Sequence, residues 1–453
     1  MLVAIMAMAV ILDSHSSPDP ASLVAQLGSS RYASRISAEG ELARLGRSAL
    51  PALRAARTSK DAEIRSRSVA LVARIENSLL LESTPIGLDF EDVRLPEAIE
   101  AIGRGSGFEL SLPPRERSLL ADRRISVHSD GPLPFWKAID AFCSAGKLHP
   151  ALGDQPVGGL QERSLLLLDG PTAGPGRVSD YGAFRVHLTS VHYQSEIQLD
   201  QPQPSPLVRG SESANGPDGS GQQARASRDF FLQFVLSAEP RLSITRNGLV
   251  KVTAVDDQGR SLVSPSGAGD AGHYAVHFGV SPSSTVRFRV DLEYPEAPAR
   301  RLRSLKGTIP VIVATRKADP IVVPLAGSRG KLFRNDEIAL TLLDHRPASA
   351  NQPATLQVSI QPLGAAVPSI NRGNGEPPWN RPDTFQQQIE ILDDLGRPLP
   401  WFPSTSFYDG DETRLTLTVG SRGTAANPRT LRYHGLLKAN SEVAFEFRDI
   451  PIP

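Results

Sequence analysis

Apolar residues change their spacing twice along the chain, and each change predicts a different kind of structure. From Asp19 to about Leu81 they recur every three or four positions, in ASLVAQLG, RYASRISAEGELARLG, SALPALRAARTS and DAEIRSRSVALVARIENSLLL. That period predicts amphipathic helices, interrupted at Gly28, Gly46 and Ser59. From Ile86 to Asp169 short alternating stretches (IGLDFEDV, FELSL, RRISVHS, LLLLD) are interleaved with two helical stripes, LPEAIEAIGRGSG and LPFWKAIDAFCSAG. The stripes put Ile99 with Ile102, and Ile139 with Phe142, on one face; Pro96 or Pro134 stands near the start and glycine marks the expected stop. The predicted module is βαββαβ, two helices packed on one small sheet. Beyond residue 177 the period falls to two. Twelve strand-like segments separated by Gly, Pro, Asn and Asp predict β-sandwich-like domains rather than parallel sheets with crossover helices.

The expected organisation is therefore multi-domain: an α-helical N-terminal segment at 19–81, the small α+β module at 82–170, a β-rich region at 177–346, a linker at 347–381 and a C-terminal β domain at 382–453. The stretch from Gln201 to Ser227 holds almost no large apolar residue and reads as an exposed insertion between strands. An internal echo links the β regions. LVKVTAVDDQGRSLV and QIEILDDLGRPLPWF each run a strand into an Asp-Asp-x-Gly-Arg turn, which predicts at least two related β domains. Asp256 with Asp257, and Asp393 with Asp394, offer paired carboxylates, but calcium takes six to eight oxygens, so turns closed by aspartate hydrogen bonds are expected instead.

Composition narrows the chemistry. With 49 basic and 49 acidic residues the 453-residue chain has formal net charge +0, which argues against nucleic acid as a partner. The single cysteine, Cys143, lies on an apolar stripe and predicts a buried, inert thiol. The first twelve residues, MLVAIMAMAVIL, are too short to span a bilayer but fit the core of a truncated signal peptide within residues 1–18, although no Lys or Arg precedes them. An exported protein of the periplasm or cell envelope is expected, touching the membrane only through its N-terminus; a buried first element in a cytoplasmic protein is the alternative.

No catalytic, cofactor-binding or metal-ligating residue is expected. Gly103, Gly105 and Gly107 close a helix, whereas a dinucleotide fingerprint opens one. Before Gly330 and Lys331 the P-loop's first glycine is replaced by Leu325. His187 and His192, five apart, face opposite ways on a regular strand, and His273 with His277 has no third ligand. Trp379, Trp401, Phe402, Phe407 and Tyr408 cluster late in the chain and form the candidate interaction surface, for a sugar or a partner protein, with core packing as the competing role.

Three resemblances add expectations. GRSALPALRAA followed by DAEIRSRSVALVARIE resembles a HEAT-type helical repeat, which implies that Pro51 kinks or starts the first helix of a pair, Asp61 caps the second and Arg65 packs beside its stripe. DFEDVRLPEAI and PLPFWKAI resemble the short N-terminal domain of secretins and TonB-dependent transducers, which implies protein contact in the bacterial envelope. The whole arrangement is similar to envelope proteins of planctomycete-like bacteria, a likeness that carries no biochemical assignment. The expected function is a non-enzymatic envelope scaffold holding another envelope protein. A carbohydrate-binding or cell-surface module using the late aromatics is one alternative, with a glycan as partner, and a hydrolase with a dispersed active site is another.

Overall fold

A computed structural model describes residues 19–106, 109–151, 164–171, 177–198, 225–263, 284–295, 299–335, 337–349, 352–363, 385–409, 412–420 and 427–453. The expected signal peptide at 1–18, nearly all of the insertion at 201–227, the histidine pair His273 and His277, and Trp379 lie outside them. The chain divides into two compact units, Met1–Glu82 and Ser83–Pro453.

The first unit holds α1 (Pro20–Gln26), α2 (Tyr32–Leu45), α3 (Leu50–Ala56) and α4 (Ala62–Leu81). Their stripes bury Leu23, Leu27, Leu42, Leu53, Leu71, Val72 and Ile75 in one core. Asp61 caps α4 by accepting from the Glu63 and Ile64 amides at 2.8 and 3.2 Å, satisfying donors that a helix start leaves unpaired. A second device recurs thirty residues apart: Arg35 donates to the Ser29 carbonyl at 2.7 Å, and Arg65 to that of Ser59 at 2.6 Å. In the same register Leu23 and Leu53, Ala38 and Ser68, and Leu42 and Val72 are all buried. The unit is thus two copies of one helix pair, a repetition the sequence shows clearly only in its second half.

The second unit begins with the small module: β1 (Pro85–Ile86), β2 (Asp89–Arg94), α5 (Leu95–Ser106), β3 (Glu109–Ser111), α6 (Pro114–Leu119), β4 (Arg124–His128), β5 (Leu133–Pro134), α7 (Phe135–Gly146), β6 (Leu148–Pro150) and β7 (Ser164–Asp169). Ile99, Ile102, Ile139 and Phe142 are buried in its core together with Phe135, Trp136 and Cys143. Two expectations need correction. The strands do not form one sheet: β2 pairs with β4, and β3, β7 and β6 make a separate ladder. Nor does α5 stop at its first glycine. It runs through Gly103 and Gly105 to Ser106, whose hydroxyl donates back to the Ile102 carbonyl at 2.7 Å. Two helical glycines cost about 2 kcal/mol relative to alanine, less than burying Leu95, Ile99 and Ile102 recovers. At the end of α7 the left-handed position falls to Lys147, with φ +52°.

A first two-layer β domain follows, with β8 (Val178–Tyr181), β9 (Phe184–Gln198), β10 (Arg225–Ala238), β11 (Ser243–Asn247), β12 (Lys251–Asp256), β13 (Thr285–Leu292) and β14 (Arg301–Arg316). The second contains β15 (Ile321–Pro324), β16 (Leu332–Arg334), β17 (Ile338–Arg346), β18 (Ala354–Pro362), the short α8 (Phe385–Gln388), β19 (Ile389–Leu392), β20 (Pro398–Leu399), β21 (Trp401–Asp409), β22 (Glu412–Val419) and β23 (Thr430–Tyr433). The last strand, β24 (Leu436–Pro451), returns to the first domain and pairs with β14 from Arg301↔Pro451 to Arg316↔Leu436.

That ladder corrects the expected domain boundaries. TLRYHGLL is not one strand, because His434 and Gly435 divide it between two sheets. The stretch 347–381 is not simply a linker either, because β18 lies in it and buries Ala354, Leu356, Val358 and Ile360. The second domain is therefore inserted between β14 and β24. The two domains share one plan. One layer is ordered β13-β10-β9-β8 in the first and, apart from the added β21, β22-β18-β17-β16 in the second. In the other layer, β14 lies between β12 and β24 as β23 lies between β19 and β15.

Inside the first domain Phe234 stacks on Phe288 at 4.9 Å, and Phe445 and Phe447 from β24 lie 5.8 and 5.5 Å from Phe234. Gly307 on β14 sits under the Phe445 ring, where a Cβ would also lie 2.9 Å from the Lys251 carbonyl oxygen. Gly105, by contrast, faces open space. Gly307→Ala is therefore expected to lower the unfolding free energy by about 1–3 kcal/mol, through overpacking. Gly105→Ala should raise it by about 0.4–1 kcal/mol, through the lost freedom of the unfolded chain. Chemical denaturation of the two variants beside the parent checks both signs.

Candidate functional site

The late aromatic cluster is split by the fold. Trp401 is half-buried and packs against the core of the second β domain. Phe402 and Phe407 are 52% and 60% exposed. Tyr408 belongs to β21, but its side chain lies outside the described residues. Register explains the split. Trp401 is opposite the core residue Val419, whereas Phe402 is opposite Thr418 and Phe407 opposite Arg414, on the outer face of the sheet. A bulge at Ser404 shifts the alternation, so that one even-numbered and one odd-numbered ring share that face. Among the described residues β21 pairs only with β22, leaving the other side of its main chain as an edge.

Between the two rings the outer face is polar. Thr405 is opposite Thr416, which is opposite Gln357, and Thr418 is opposite Thr355. The charges nearby are matched among themselves: Arg414 and the Ser359 hydroxyl both donate to Glu412 at 2.7 Å, and Arg346 donates to Asp344 at 3.1 Å. Arg414 and Ser359 hold the Glu412 carboxyl below its ordinary value, so it remains an acceptor at neutral pH. What this surface presents is two rings, neutral hydroxyls and an amide beside an open strand edge.

The Asp-Gly-Arg turns are closed by their own hydrogen bonds. Asp256 accepts from the Gln258 and Arg260 amides at 2.9 and 2.8 Å and from the Arg260 guanidinium at 2.9 Å. Asp393 repeats the set with Leu395 and Arg397 at 2.9, 2.8 and 2.7 Å. Burial pushes both carboxyls up, but these donors outweigh it and hold them below the ordinary value. Gly259 and Gly396, with φ +82° and +75°, supply the left-handed position that each turn needs.

Sequence reading missed the densest polar cluster, which joins the module to the first β domain. Arg185 on β9 is 2% exposed. It donates to Asp140 at 2.6 and 2.7 Å and to Asp180 at 2.6 and 2.9 Å, while its guanidinium lies over the Trp136 ring at 5.0 Å. Burial alone would lower the Arg185 pKa, but the two carboxylates reverse this and raise it. Beside it Glu239, fully buried, accepts from the Ser83 hydroxyl, the Thr84 amide and hydroxyl, and Arg241, at 2.6–3.0 Å. Each residue looks like a surface charge in sequence; only an Arg within the alternating apolar strand GAFRVHL signals otherwise. Cys143 is buried nearby, its thiol pushed up to about 12 chiefly by burial, then by Asp140.

The histidine expectation is also corrected. His187 is opposite Val235 and His192 opposite Phe231, so a bulge at Thr189 brings both onto one face. Ser190 Oγ lies 2.7 Å from His192 Nε2 and donates to the Gln233 amide oxygen at 3.0 Å, while the imidazole is stacked on the Phe231 ring at 4.7 Å. Two grooves of about 560 and 440 Å³ line the outer face of the β12–β14–β24 layer, and neither is lined by a histidine. Among the described residues no group of three His, Cys, Asp or Glu is placed to hold a metal ion.

Arg185→Met should cost about 2–4 kcal/mol, less than a fully buried pair because Asp140 keeps contact with water. Hydrogen exchange should show the module and the Phe184–Ala238 strands losing protection together. Comparison with protein-family models, curated proteins and solved structures finds no match for this chain.

Proposed function

We propose that the protein is a non-enzymatic scaffold of the cell envelope that holds a partner protein at the β21 edge. One observation carries this reading: Phe402 and Phe407 stand exposed on the same face of a strand whose second main-chain edge is unpaired among the described residues. An extended segment added to such an edge gains main-chain hydrogen bonds, and two rings four β22 positions apart supply side-chain anchors. Pro403 and the bulge at Ser404 interrupt the edge, which limits indiscriminate pairing. The rest of the molecule supports a rigid carrier. The buried Arg185 and Glu239 clusters bind the module to the first β domain, and β14–β24 continues into β15–β23 in the second. Placement in the envelope rests on the apolar residues 1–12, since the divided strands of the module do not carry the transducer-type resemblance; the HEAT-type reading draws support from the repeated helix pair.

A second reading, a neutral glycan lying on the same face, is favoured by Thr355, Gln357, Thr405 and Thr416, uncharged groups suited to sugar hydroxyls. Cross-linking in intact envelopes separates the two. The scaffold reading expects Phe402→Ser with Phe407→Ser to reduce capture of a stoichiometric protein about tenfold or more, with an unchanged melting temperature. It expects Gln357→Ala with Thr416→Ala to leave capture intact. Retention of a polysaccharide that depends on Gln357 and Thr416, with no protein captured, would replace it by the glycan reading.

A further inference from the structure

The shared plan of the two β domains exposes an asymmetry. In the second domain the strand flanking β23 is β15, the first strand of that domain. In the first domain the equivalent place beside β14 is held by β24, the last strand of the chain. The first domain therefore has its closing strand delivered from the far end of the sequence, after the whole second domain has been made.

Until it arrives, β14 has an open edge and the Phe234–Phe288 pair lacks the cover of Phe445 and Phe447. All the ladder bonds of β24 go to the first domain, although β23, immediately before it, is paired in the second. Only His434 and Gly435 connect them. That connection is crowded. A Cβ at Gly435 would lie 2.7 Å from Glu337 Oε2, and His434 Nε2 is buried without a hydrogen bond, its nearest carboxylate being Glu390 at 3.6 Å. A buried ring nitrogen without a hydrogen bond is unfavourable, and opening the hinge would let water reach it.

We propose that β14 is a strand acceptor that takes β24 from a second copy of this chain, giving a reciprocally exchanged dimer. The exchanged ladder is identical to the internal one, so the two forms differ only in the hinge and in the entropy of association. Those are the terms that a short, crowded hinge and a high concentration tip towards the dimer. The proposal is independent of what binds at β21.

Thr308 and Ala444 are cross-strand partners in the ladder and are half-buried rather than core. Full-length Thr308→Cys and Ala444→Cys chains are mixed, refolded at high concentration and oxidised. Exchange predicts a covalent dimer from the mixture, absent when either chain is treated alone, because only pairing between chains brings the two thiols together. Lengthening the hinge by six Gly and Ser residues between His434 and Gly435 should cut the dimer yield about tenfold. Sedimentation of the unmodified protein provides a reading free of substitutions, with a slowly forming dimer whose circular dichroism equals that of the monomer. A folded mixture that yields no covalent dimer, or a parent protein that stays monomeric after concentrated refolding, would overturn the proposal.

Discussion

The ladder between β14 and β24 is the constraint on which the larger unit depends. It spans sixteen residues of each strand and carries Phe445 and Phe447 into the first β core. It also forces the second β domain to be an insertion, entered after β14 and left before β24. Lys317 donates its amide to the Gly435 carbonyl at 2.8 Å where the two crossings run side by side. Gly307 shows how tightly the ladder is built: the only residue that fits there lacks a side chain, because the Phe445 ring occupies the space.

The second organising feature is ionic. Taking Arg185 out of water is costly, and the arrangement survives because four charge-assisted bonds to Asp140 and Asp180 and the Trp136 face satisfy it together. A junction of this kind contributes less to net stability than an apolar one of equal size, but it tolerates only one relative placement of helix α7 and strand β9. Away from this junction, on the outer face of the second β domain, the Phe402 and Phe407 rings remain in contact with water.

The duplication of the β domain connects these points. The Asp256 and Asp393 turns keep the same hydrogen bonds in both copies, and their strands keep the same neighbours, yet the copies differ in which strand completes the second layer. A strand that completes a sheet from a distance is held by tertiary contacts alone, since no short turn ties it to its neighbour. The first domain thus depends on the integrity of the whole chain in a way the second does not.

Much of this was legible in the residues. Three- and four-residue spacing located α2 and α4, the stripes of α5 and α7 named core residues that are buried, and alternation marked the strands, because burial of one face imposes those periods directly. The Asp-x-x-Gly-Arg turns were readable for the same local reason, as every bond in them lies within five residues. Pairing across long separations was not. Nothing in EVAFEFRDIPI says that its partner lies near Arg301, and no local signal shows that His434 and Gly435 change sheets. The bulge at Thr189 reversed the predicted facing of His187 and His192, and the bulge at Ser404 put Phe402 and Phe407 on one face, because one added residue inverts a period of two. Phe402 and Trp401 are neighbours of similar character, and only the register against β22 decided which would pack against the core and which would stand exposed. Sequence by itself determined the elements and their apolar faces, through local periodicity and turn chemistry; the tertiary structure alone decided which strands meet and which charges are buried, because those depend on contacts between residues far apart in the chain.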